Sequence, residues 1–218
     1  MIRNLDMSQV SDGKLYVPED MVKAGCGNCE GCSQCCRGMG NSIVLDPYDA
    51  FRLEKGLGKS FQCLIGKFVE LNAVDGLVLP NLKLSGEDES CGFLDNNGRC
   101  SIHMYRPGIC RMFPLGRIFD NGGHKYFLQT NECPKAGVKV KVKKWIDVSD
   151  VPEYEKFTDE WHFFLRDVAS FVAGCEKTTV INNVCTMLLN IFYMKNYNCD
   201  EEFYGQFYER LNYIRKYM

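Results

Sequence analysis

Five cysteines fall within eleven residues at Cys26-Gly-Asn-Cys29-Glu-Gly-Cys32-Ser-Gln-Cys35-Cys36, and they constrain this chain more than any other feature. Two-residue spacers let the chain turn so that successive sulfurs converge on one centre. Gly25, Gly27, Gly31 and Gly38 permit the backbone conformations this requires. The adjacent side chains of Cys35 and Cys36 diverge, and a vicinal disulfide would strain the backbone, which suits the pair to different metals. Ten of the thirteen cysteines lie between Cys26 and Cys133, and Cys175, Cys185 and Cys199 are scattered through a differently patterned tail.

Compartment decides how such thiols are read. The first ten residues mix polar and acidic side chains and lack the apolar run of a signal peptide. The most apolar later stretch, 184–194, is far shorter than the roughly 20 residues of a membrane span. The expectation is a cytoplasmic protein without membrane association, in which clustered thiols serve as metal ligands or redox groups rather than disulfides. A chain of 218 residues also buries about 70% of its unfolded surface, so it needs no staples to fold. With 26 basic against 28 acidic residues there is no global field to recruit nucleic acid.

The pattern along the chain predicts an α+β fold. Residues 42–45 read as a short buried strand, and Asp46-Pro47 as the cap and first turn of a helix through Leu53, ended by Gly56 or Gly58. Ser60 is read as capping a second helix to about Leu71, with Phe61, Leu64, Ile65, Phe68 and Val69 on one face. Residues 77–84 are extended, and 95–98 form a turn between Cys91 and Cys100. A hairpin over 113–119 and 124–129 separates Cys110 from Cys133. The alternating 138–143 segment reads as a lysine-protected edge strand rather than a nucleic-acid arm. After Pro152 three helices follow, over about 152–172, 178–195 and from Asp200, with aromatic stripes that read as core. The expected organisation is an N-terminal extension over 1–25, a cysteine-cluster domain over 26–150 and a helical segment over 151–218 packed on it.

The downstream cysteines stand in Cys91-Gly-Phe-Leu, in Cys100-Ser-Ile, in Arg106-Pro-Gly-Ile-Cys110-Arg-Met-Phe-Pro114 and at Cys133. Together with C-x2-C-x2-C-C at Cys29, Cys32, Cys35 and Cys36, this order resembles the YkgJ-type CxxCxxCC cysteine-cluster family, described as zinc- or iron-chelating. The resemblance covers about 29–134. It implies eight ligands, Cys29, Cys32, Cys35, Cys36, Cys91, Cys100, Cys110 and Cys133, and leaves Cys26 as an extension of the motif. A more distant likeness is to flagellin lysine methylases, iron–sulfur enzymes that share the Cys-Cys pair and a C-x-F-L-D segment. No methyl-donor or dinucleotide fingerprint accompanies it.

Eight thiolates satisfy two four-cysteine zinc sites or iron–sulfur ligation equally by count, with the excess over four leaning to iron–sulfur. Three functions follow as expectations: an intracellular chelating protein, an iron–sulfur enzyme modifying a protein side chain by methyl transfer or redox chemistry, and a zinc-stabilised interaction module. Arg106 and Arg111 flank Cys110 and are read as offsetting the thiolates' charge, as holding an anionic substrate, or as ordinary surface or carboxylate-paired groups. Of three histidines, His103 is the reserve ligand, while Cys63, Cys175, Cys185 and Cys199 read as small buried side chains.

Overall fold

The structure is a computed structural model that describes residues 6–27, 32–120 and 122–217. Its architecture is α+β, as the pattern predicts, with the strands of the described residues paired in four small antiparallel ladders. Helix α1 (Met7–Val10) and strand β1 (Met21–Gly25) lead into the cysteine loop. The segment after it runs extended beside β3 (Leu77–Leu82). Leu45 donates its N–H to the Pro80 carbonyl at 2.8 Å, Leu82 donates to Ile43 at 3.0 Å, and Ile43 and Leu45 are buried. The predicted strand over 42–45 is thus a single bridge at Val44.

Helix α2 (Pro47–Leu57) opens with a reciprocal capping box. The Asp46 carboxylate accepts from the Asp49 N–H at 2.8 Å, and the Asp49 carboxylate accepts from the Asp46 N–H at 3.2 Å. The helix runs to Leu57, past the expected Leu53, and ends at Gly58 in the left-handed conformation, one of the two glycines expected to stop it. The helix predicted over 60–71 is absent. Residues Phe61–Leu64 form a single 3-10 turn in which Ser60 makes no side-chain cap, and strand β2 (Val69–Val74) follows. The override comes from Asp75-Gly76, both at positive φ, which close a two-residue hairpin between β2 and β3. Such a turn matches the right-handed twist of the paired strands and sets their register.

Short strands β4 (Leu84–Ser85) and β5 (Ser90–Cys91) precede helix α3 (Gly108–Met112). The predicted hairpin follows as β6 (Leu115–Asp120) and β7 (Gly123–Leu128), with Asn121 outside the described residues. The lysine-rich strand β8 (Val138–Lys141) pairs with β1 and runs into α4 (Val142–Trp145).

Helix α5 (Val151–Ala173) starts from Asp150, whose side chain accepts from the Glu153 N–H at 3.0 Å. Helix α6 (Thr178–Leu189) continues into a π turn over Asn190–Met194, and α7 (Phe203–Ile214) closes the chain. Helix α7 starts later than expected because Asn198 and Gln206 exchange two hydrogen bonds, at 2.8 and 2.9 Å, that hold the preceding residues as a loop. Arg210 donates to the carbonyls of Ile191, Lys195 and Asn196 and so satisfies the open end of the π turn. The aromatic stripes are core. Phe157 packs edge-on to Phe207 at 4.7 Å and to Phe203 at 5.1 Å, and Tyr48 of α2 reaches Phe203 at 5.0 Å. One cluster of buried apolar residues therefore runs from Val22 to Ile214. Among the described residues no helix is long and apolar enough to cross a membrane.

Phe157 is fully buried, whereas Phe171 on the same helix is 50% exposed. Phe157→Ala should cost about 3–5 kcal/mol in denaturant unfolding and Phe171→Ala less than about 0.5 kcal/mol. Equal shifts would contradict the orientation of α5.

Candidate metal centre

Five local structures carry thiols to one end of the molecule. Cys26 directly follows β1, where Gly25 is required: a Cβ there would lie 2.9 Å from the Val138 carbonyl oxygen. Cys35 and Cys36 sit on a 3-10 turn, Gln34–Cys36. Arg37 latches that turn to β5 through Asp88 at 3.0 Å and the Ser90 hydroxyl at 2.6 Å. The predicted turn between Cys91 and Cys100 is present, with the Asp95 carboxylate accepting from the N–H groups of Asn97 and Arg99 at 2.9 and 2.8 Å. It brings Cys100 opposite Leu94. Cys110 lies in α3, and the β6–β7 hairpin returns the chain so that Cys133 comes beside it.

Two small cavities separate these sulfurs. One, of about 20 Å³, is lined by Cys26, Cys32, Cys35, Cys110 and Cys133. The other, of about 40 Å³, is lined by Cys32, Cys35, Cys36, Cys91, Cys100 and Cys110, with His103 and Arg106 at its wall. Cys32, Cys35 and Cys110 line both. Seven of the eight ligands implied by the resemblance are thus brought together, and the eighth, Cys29, lies outside the described residues. Cys26, which the motif leaves without a role, joins them. The signal for it was its two-residue spacing from Cys29. Among the described residues no three His, Cys, Asp or Glu side chains are drawn in closely enough to hold a metal ion as they stand.

The thiols perturb one another. A hydrogen bond from Cys36 lowers the Cys35 thiol to about 7, with Arg106 adding a smaller favourable charge, and the same bond raises Cys36. Burial raises Cys91, and burial followed by the neighbouring thiols holds Cys110 well above the ordinary range. Several thiolates in one half-buried place repel, and a bound cation is what lets them ionise together. The donor set fits zinc or iron: it is soft, sulfur-rich and crowded. His103 meets Arg106 at 2.6 Å, and burial, then the arginine's charge, lowers its pKa, so it is a neutral imidazole at the edge of the sulfur set.

Other sequence expectations change. Arg111 does not face the thiols. It is 1% exposed, donates to the Ile146 carbonyl and the Tyr154 hydroxyl at 2.9 and 3.1 Å, and lies over the Tyr48 and Tyr154 rings. Cys63 is exposed and contacts the Ser60 hydroxyl at 3.2 Å instead of being buried, because the helix expected to bury it does not form. Cys185 is buried, and Cys175 and Cys199 are half-buried.

A family model, CxxCxxCC, described as "Putative zinc- or iron-chelating domain", matches residues 28–137. The chain belongs to this family. The match contains every cysteine from Cys29 to Cys133, and leaves Cys26 and helices α4 to α7 of this CxxCxxCC protein outside it. Comparison with curated proteins and with solved structures found no match.

In metal-free, reduced protein, iodoacetamide labelling followed by peptide mass spectrometry should give Cys35 a reactivity midpoint near pH 7, while Cys91 and Cys110 stay unreactive at that pH. A Cys35 midpoint as high as that of Cys110 would contradict the electrostatics described.

Proposed function

We propose that this CxxCxxCC protein holds a polynuclear iron–sulfur centre through Cys29, Cys32, Cys35, Cys36, Cys91, Cys100, Cys110 and Cys133, with Cys26 as a further thiolate. The observation that carries the reading is that two adjoining cavities share Cys32, Cys35 and Cys110. Two independent zinc sites would each need four thiolates of their own. A shared wall suits metals bound side by side. The apolar core also supports iron–sulfur over a structural staple, since a chain that buries residues from Val22 to Ile214 in one cluster has no need of metal to fold. Iron–sulfur ligation would supply one-electron chemistry, with Arg106 offsetting part of the thiolate charge. In this reading residues 26–150 bear the metal, and 151–218 form the packed helical support.

A second reading, a zinc–thiolate centre, is favoured by the cavity sizes, each close to that of one water-sized body. Anaerobic purification with iron, zinc and acid-labile sulfide analysis separates the two. Iron with sulfide and a visible absorption band supports the proposal. Zinc without colour supports the second reading, and folded protein free of both metals contradicts both.

A serine series apportions the ligands. Cys32→Ser, Cys35→Ser and Cys110→Ser should each remove most of the bound metal, Cys91→Ser and Cys133→Ser only part, and Cys185→Ser none. Equal losses at all positions would show that metal content follows folding rather than ligation.

A further inference from the structure

Behind α3, on the side away from the thiols, lies a cavity of about 390 Å³ between the start of α2, the β6–β7 hairpin and α5. Cys110 faces the sulfur site while its neighbours Ile109 and Met112 face this cavity, so a single helix separates the two. Most of the wall is apolar, including Leu79, Phe127 and Trp161. The size falls in the range of small-molecule sites, which combine an apolar body with a few placed polar groups.

Two polar atoms in this wall are without partners. Arg117 Nε and Thr158 Oγ1 are buried, and among the described residues neither has a hydrogen-bond partner. Orphaned buried polar atoms are rare in folded proteins. Arg117 is nonetheless fixed, donating through Nη2 to the Tyr154 hydroxyl at 2.8 Å and lying between the Tyr154 and Tyr126 rings. Asp46 also lines the cavity and is half-buried, with one oxygen taking the Asp49 N–H. The Asp49 carboxylate is already committed to the N–H groups of Gly108 and Asp46. Among the described residues no ion pair joins Asp46 to Arg117, although both face the same space.

We propose that this cavity binds a small zwitterion with an apolar body, the chemistry of an aliphatic or aromatic α-amino acid. Its carboxylate is received by Arg117 and Thr158, its ammonium by Asp46, and its side chain by the apolar wall. A simple cation is disfavoured by Arg117 and the nearby Arg111. Burial, then the neighbouring Asp49 carboxylate, raises Asp46 to about 7, so an ammonium placed beside it would favour its ionised form. The proposal is independent of which metal the thiols hold.

Trp161 walls the cavity and is one of only two tryptophans, so intrinsic fluorescence reports on it. The test titrates the purified protein, with whatever metal it carries, with L-leucine, L-methionine and L-phenylalanine, and then with the N-acetyl and amide derivatives of whichever binds. At least one free amino acid should bind with Kd below about 1 mM, and each blocked derivative at least about tenfold more weakly. No binding by all three at about 10 mM, or equal binding by the blocked forms, would overturn the proposal. Thr158→Val removes a hydroxyl that has no hydrogen-bond partner among the described residues, so it should weaken binding about fivefold or more without lowering the unfolding midpoint of the ligand-free protein. Unchanged affinity in this variant would also overturn the proposal. Leu165→Trp, which fills the cavity, should abolish binding while leaving metal content unchanged.

Discussion

Thiols gathered at one half-buried place resist ionising together, and that electrostatic constraint organises this molecule. The bond between Cys35 and Cys36, followed by burial, raises Cys36, and burial followed by mutual repulsion raises Cys91 and Cys110, while Cys35 is lowered by its bond from Cys36 and the charge of Arg106. A cation resolves the conflict only if the sulfurs are already close, because the backbone must otherwise be reordered at the moment of binding. The fold supplies that closeness from segments far apart in sequence. The β1–β8 ladder fixes Cys26, the Asp95 turn sets Cys100 opposite Leu94 so that it lines one cavity with Cys91, and the β6–β7 hairpin sets Cys133 against Cys110.

The helical tail is the counterweight to this loop-rich end. Short ladders such as β4–β5 bury little and are marginal alone. They are held by a core in which Phe157, Trp161, Phe192, Phe203 and Phe207 interlock and reach Tyr48 at the start of α2. Glu54 joins the two halves from inside, accepting from the Phe61 N–H at 2.9 Å and the Tyr197 N–H at 3.1 Å. The Tyr193 hydroxyl adds a bond to the Leu45 carbonyl. Helix α3 joins the two ends of this arrangement, with Cys110 presented to the sulfurs and Arg111 anchored in the core beside it.

Much of this was legible in the sequence where the signal is local. The Asp46-Pro47 start of α2, the 95–98 turn, the β6–β7 hairpin and the long α5 each rest on residues within one turn of one another. The helix expected over 60–71 failed because its apolar spacing is ambiguous, and Asp75-Gly76, just beyond it, impose a hairpin that draws Val69–Val74 into β2. Arg111 was unreadable because its partners, Ile146 and Tyr154, are distant in the chain. The grouping of the cysteines followed from their motif, but not the sharing of Cys32, Cys35 and Cys110 between two cavities, nor the inclusion of Cys26.

The central claim is that these thiols hold metals side by side. Metal-edge X-ray absorption on anaerobically purified whole chain tests it most directly. The account predicts a first shell of sulfur alone with a second metal in the next shell. A first shell dominated by nitrogen or oxygen, or an isolated metal with no metal neighbour, would contradict it.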